Sequence, residues 1–358
     1  MFVALARQRP KAPLCKGGCQ KSLIFDWGIV VLLQPLRSKS KILTTSPYTG
    51  EARASRSILY DKLKFEFLTH IEKGATFMEM RTRIFGKMLN SEVQDYLKRN
   101  DIIIVPVGTT EMHGGFPLDC ETVISEAYAL KMAEACDGLV LTGLPYFYAG
   151  ATASGRGTVQ VSVRQGIDYL GAIARSLLRL GFKRQVYISF HGPAHMTICP
   201  MVRDFYDETG VPILYLDSMM SMGKAMDVFG TKGFGAFHDI TVGAYKIMNR
   251  IDDVALVTGY SHTNPQSCAP FNDLFSLGYQ SAAVGYCFGE NGDHMSTPDI
   301  PDIETRDRMA ESGEEIICKM VERMNMPHVV EQLRKLEQYG LENEQKYPWM
   351  PAAWNRNH

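Results

Sequence analysis

The chain has 358 residues, 45% of them hydrophobic, enough to fill one large core or two modest ones. A formal net charge of −1 gives no overall reason to expect nucleic acid or an anionic membrane as a partner. Eight cysteines without framework spacing, in a chain too long to need disulfides, point to a reducing, cytoplasmic setting.

The balance of charge hides an asymmetry, because residues 1–60 carry ten Lys/Arg against only Asp26 and Glu51. Cys15 and Cys19 could open a zinc knuckle, but no second Cys/His pair follows nearby, and two ordinary thiols are the better reading. The segment 22–36 has an uninterrupted apolar core of about seven residues, far short of the ~20 needed to span a bilayer. It also lacks a convincing small-residue cleavage pattern. Residues 1–77 are therefore expected to be a basic, poorly ordered extension outside the functional protein, with a transit peptide as the alternative.

Regular organisation begins near residue 78. The stretch 90–100 predicts a capped helix, and the apolar run 102–107 predicts a buried strand. A helix is expected over 122–136 and a short strand over 138–145. Residues 163–182 form a strong amphipathic pattern, with Ile167, Leu170, Ile173, Leu177 and Leu180 on one stripe. A strand over 185–190, a helix over 195–208 and a strand over 211–217 follow. Strands alternating with helices imply a mostly parallel sheet covered on both faces.

Potential ligands cluster where two of these strands end. The 102–107 strand is followed by "TTEMHGGFPLDCET", which holds Glu111, His113, Asp119 and Glu121. The 185–190 strand runs into "HGPAH", which holds His191 and His195. The crevice beyond the carboxyl ends of parallel strands is where α/β sheets bind ligands. Glu111 and His113 are two apart, so an extended segment projects both to one side. Carboxylate and imidazole are ligands that Zn²⁺ or Mn²⁺ accept. A single histidine here would more often be a structural one; the combination favours a metal site. Glycine-containing "GFGAF" and "GENGD" do not follow strands with phosphate-cradling spacing, so nucleotide binding is disfavoured.

These blocks resemble the creatininase (creatinine amidohydrolase) family. The likeness lies in "VPVGTTEMHGGFPLDCET", with one deletion after Gly114, and in the middle block that contains Gly157-Thr158 and Gly181-Phe182. It covers roughly residues 80–325. The resemblance implies a three-layer α/β/α sandwich, often hexameric, and a site for one or two divalent metals, Zn²⁺ or Mn²⁺. Glu111 and His191 would hold one metal and His113 the other, with Glu121 at the bridging position and Asp119 as the alternative.

The pattern also departs from the family. Pro193 and Gly243 stand where relatives supply a further carboxylate, so a second metal would bind weakly or not at all unless Asp239, Asp217 or His195 compensates. By resemblance, His238 is the candidate general acid/base. His195 is a second candidate, divided between support of the site and helix-start packing. Arg156, in the "SGRGT" turn, is a candidate for substrate binding or a plain surface residue.

The expected activity is a metal-dependent hydrolase opening a small cyclic carbonyl substrate, either a cyclic amide or a cyclic polyol ketone such as a diketo-inositol. The alternative is an inactive relative that binds a ligand or acts as a scaffold. The expected domain spans 78–330. Residues 331–358, with Trp349 and Trp354 beside prolines, are expected to dock on their own domain or on a neighbouring subunit of a homo-oligomer.

Overall fold

The computed structural model describes residues 80–217, 227–229, 235–259, 274, 284–288 and 297–357, together with the backbone of two short antiparallel strands, β1 (Ser22–Ile24) and β2 (Val30–Leu32). The remainder of the predicted extension 1–77 lies outside the described residues, as does His294.

Four strands build the central sheet: β3 (Ile102–Pro106), β4 (Leu139–Val140), β5 (Arg184–Ser189) and β6 (Leu214–Asp217). They are parallel and ordered β4-β3-β5-β6. Ile102 to Val105 are all buried, because both faces of the sheet are covered. Ile102 and Ile104 pack with α2 (Cys120–Cys136), α5 (Ala236–Ile247) and α6 (Ile303–Met324). Ile103 and Val105 face the other way, toward α3 (Val163–Leu180) and α4 (His195–Thr209), with Tyr96 of α1 (Asn90–Leu97) on the same side. The period-two alternation of β3 thus feeds two separate cores, and the architecture is a three-layer α/β/α sandwich.

Local chemistry explains the boundaries. Ser162 accepts a hydrogen bond from the Gln165 N–H while the Gln165 side chain accepts from the Ser162 N–H, a capping box that starts α3. Gly181, at φ +110°, ends it. The amphipathic stripe is buried or half-buried along α3 except at Leu180, which is 53% exposed at the last turn. The strand expected over 138–145 stops after Val140, and the chain turns at Gly143 with φ +89°. The strand expected over 211–217 pairs only from Leu214, because Pro212 has no N–H for the ladder.

Residues 326–357 continue as α7 (Met326–Lys346) and α8 (Pro351–Asn357). Asn355 and Arg356 donate to the carbonyls of Asp207 and Thr209, so α8 rests on the end of α4. Trp349 and Trp354 stay largely exposed.

Helices α5 and α6 cross with backbones in contact. A Cβ on Gly313 would collide with the Asp239 carbonyl, and one on Gly243 with the Gly313–Glu314 backbone. Gly313→Ala is therefore expected to cost about 3 kcal/mol, the upper part of the overpacking range. Gly86→Ala, with open space around it, should cost far less. Urea denaturation of the two variants checks the contrast.

Candidate metal centre

The strand order places the centre. Chain order runs β3, then β4 on one side of it, then β5 on the other, so the connections reverse direction between β3 and β5. In open α/β sheets that reversal opens a crevice at the carboxyl ends of the two strands. Glu111 and His113 follow β3, and His191 follows β5. The Val107 N–H donates to the Ile188 carbonyl at 2.8 Å, holding the two exits together. Gly108 lets the chain pass under α2, since a Cβ there would collide with Thr122. Gly114, at φ +66°, turns it back toward α2.

Ligand atoms of Glu111, His113 and Glu121 lie within 4.8 Å of one another, and all three side chains are buried. His191 adds its Nδ1, 2.6 Å from Glu121 Oε2 and 3.3 Å from Glu111 Oε1. Its Nε2 lies 2.9 Å from the Tyr148 carbonyl. A carbonyl only accepts, so Nε2 carries the proton and a neutral ring would aim the Nδ1 lone pair at two carboxylates. Acceptors converging on one buried point need a proton between them, on Nδ1 or on a carboxylate, or a metal ion. Glu121 Oε1 is buried without a hydrogen-bond partner among the described residues, which leaves a lone pair available to such an ion. The residues present therefore fit a divalent cation with mixed oxygen and nitrogen ligands. Glu121 also sits in the first turn of α2, where the helix dipole favours negative charge.

Burial alone would lower the pKa of His191, but Glu111 and Glu121 outweigh it and raise the value to about 10. Burial pushes Glu121 up to about 8, with His191 opposing and Glu111 adding to the rise.

Asp119, the alternative to Glu121, faces elsewhere: it accepts from Tyr245 Oη and from Arg250 Nη1. Pro193 and Gly243, where the resemblance expects carboxylates, are committed to packing. The Pro193 ring sits 3.0 Å from where a Gly150 Cβ would stand, and Gly243 faces α6. None of the suggested substitutes belongs to the ligand group among the described residues. Asp239 accepts from Ser312, Asp217 is bonded with Tyr215, and His195 Nδ1 lies 2.9 Å from the Gly192 carbonyl. His238, near the start of α5, stands with its ring 6.1 Å from that of Phe116, beside the ligand loop. Arg156 is exposed on the loop that follows Thr152.

Sequence reasoning missed Thr152 and Tyr148. The Thr152 hydroxyl donates to Glu111 Oε2, and the Tyr148 carbonyl orients His191. No residue pattern flags a lone threonine in "AGATASG" or a main-chain carbonyl. The 150–154 segment is fastened to the ligand loop by neighbouring contacts, with Val159 N–H donating to Thr110 O and Met112 N–H to Thr158 Oγ1.

Residues 86–240 match the creatininase, or creatinine amidohydrolase, family model. A 3-dehydro-scyllo-inosose hydrolase of Thermotoga maritima is 33% identical over 122 residues, 32% of this chain and 38% of that protein. The chain thus aligns with well under half the length of this curated relative. The structure of a candidate creatinine amidohydrolase from Bacteroides fragilis NCTC 9343 superposes with a TM-score of 0.51 at 17% identity, covering 72% of this chain and 98% of that one. That likeness carries the fold alone.

Thr152→Val keeps the shape but removes the hydrogen bond to Glu111. Calorimetric titration should show Mn²⁺ affinity falling roughly tenfold, as for other partners of metal-binding carboxylates. In cation-free protein, His191 and Glu121 keep protons up to about pH 10 and 8, well above their ordinary values of 6.5 and 4.5. The folded chain then binds more protons than the unfolded chain, so its stability should fall as pH rises from 7 to 9. A bound Mn²⁺ would take the place of the protons, and thermal melts at saturating Mn²⁺ should then show that decline removed.

Proposed function

We propose, on the match of residues 86–240 to the creatininase family model, that the protein is a metal-dependent hydrolase that opens a small cyclic carbonyl substrate. The observation that carries this reading is the convergence of Glu111, His113, Glu121 and His191 Nδ1 on one buried point, a set of oxygen and nitrogen ligands that suits a divalent cation. Glu111, His113, Glu121 and His191 would hold Zn²⁺ or Mn²⁺. When bound, such an ion lowers the pKa of a water and polarises a carbonyl.

The remaining steps belong to protein side chains. In this reading His238, half-buried beside Phe116, gives a proton to the leaving atom of the ring. His195 directs Nδ1–H at the Gly192 carbonyl, which leaves Nε2 as the atom that takes or returns a proton. Arg156, exposed on the loop beyond Thr152, offers donors to the hydroxyls of a polyol ring.

Water adds its oxygen to the ring carbonyl, and the adjacent ring bond breaks. In a cyclic amide the electron pair leaves on nitrogen. In a cyclic diketone it leaves on carbon, where the second carbonyl delocalises it before a proton arrives. We favour the cyclic polyol ketone, because the Thermotoga relative, similar over 122 residues, is a hydrolase of a compound of this class. The proposed assembly is a homo-oligomer in the cytoplasm, supported by Leu336, Tyr339, Trp349 and Trp354 exposed on and after α7.

The test incubates the full chain, loaded with Mn²⁺ or Zn²⁺, with a diketo-inositol and separately with creatinine, and follows the carboxylic acid formed. Ring opening of the ketone is expected, together with a loss of more than about 100-fold in Glu121→Gln as the cation site fails. Tight binding of the ketone without turnover, unchanged in the variant, would contradict the enzyme reading and support the ligand-binding alternative.

A further inference from the structure

Asp119 stands at the N-cap of α2, the position where an aspartate ordinarily accepts from the free N–H groups of a helix. It makes no such side-chain bond. Its two oxygens instead accept from Tyr245 Oη at 2.7 Å and Arg250 Nη1 at 2.8 Å. Tyr245 is fully buried, so its hydrogen bond to a carboxylate is the stronger of the two. The Arg250 pair is half-exposed and is discounted for screening.

Tyr245 lies two turns along α5 from His238, so the two share a face of the helix. One end of that face meets Phe116 through the His238 ring, and the other meets Asp119 through Tyr245. Phe116 and Asp119 both belong to the loop between His113 and Glu121. The face of α5 around Gly243 is set by its glycine crossing with α6. The helix is thus gripped along its length, and Asp119 ties its later turns to the ligand loop through a charged, directional contact.

We propose that Asp119 is a positioning residue, which fixes α5, and with it His238, against the loop that carries His113 and Glu121. The role of His238 in proton transfer rests on the hydrolase reading above; the tie between α2 and α5 does not. Losing the tie displaces the proton donor without removing any cation ligand.

Asp119→Ala and Tyr245→Phe are compared with the unaltered full chain, each loaded with Mn²⁺, on the diketo-inositol. Each is expected to lower kcat roughly tenfold, as a misplaced group does, while KM and Mn²⁺ affinity hold. The double variant should be no slower than Asp119→Ala, and Asp119→Asn, which keeps an acceptor for Tyr245, should recover most of the rate. Labelling of His238 by diethyl pyrocarbonate, read by mass spectrometry, should speed up about threefold in Asp119→Ala as α5 loosens. Should the unaltered chain not turn over the ketone, the hydrolase reading fails and the labelling alone decides. A lower melting temperature with kcat and His238 labelling unchanged would overturn the proposal, as would a loss confined to Mn²⁺ affinity.

Discussion

The site turns on a single electrostatic demand. Glu111, Glu121 and the Nδ1 of His191 bring acceptor atoms to one buried point, and the Tyr148 carbonyl fixes the histidine proton on the far nitrogen. Buried acceptors cannot face one another unless a proton or a metal ion lies between them. Protons on His191 and Glu121 satisfy the demand in the cation-free chain, and a divalent ion would satisfy it with more ligands. The surrounding fold maintains this convergence: the exits of β3 and β5 are paired, the first turn of α2 presents Glu121, and Thr152 holds the outer oxygen of Glu111.

The location follows from topology before it follows from chemistry. A doubly wound sheet has one place where successive connections depart to opposite sides, and here it falls between the strands followed by Glu111 and by His191. Helix α5 then covers the same side as α2, close enough to α6 that only glycine fits at the crossing. That packing accounts for a residue that reads as a deficiency in the sequence. Gly243 stands where relatives are expected to carry a carboxylate, yet its backbone touches α6, and a glutamate there would force the helices apart. Pro193, the other missing carboxylate, is likewise wedged against Gly150.

Much of this was legible in the sequence because it depends on short-range order. The alternation of strands and helices specified the sandwich, and ligand types directly after two strands specified the crevice. Long-range partners were not legible. Whether Asp119 or Glu121 faced the crevice was settled by Tyr245 and Arg250, 126 and 131 residues away. Thr152 contacts Glu111 from 41 residues away, in a stretch of small residues with no periodic signal. Strand ends were misjudged where a proline or a positive-φ glycine outweighed apolar character, as at Pro212 and Gly143. The family resemblance supplied a candidate role for His238, and the "SGRGT" turn supplied one for Arg156. The structure sets the first beside Phe116 and leaves the second on an exposed loop.

On the proposed reading, a divalent cation occupies the point where these acceptors meet. Crystals grown with Zn²⁺ and measured on both sides of the zinc absorption edge test it most directly. The expected result is an anomalous peak ligated by Glu111, His113, Glu121 and His191 Nδ1, with Asp119 still bonded to Tyr245. The contradicting result is no peak in the crevice, with His191 Nδ1 still in direct contact with Glu121 at full zinc saturation.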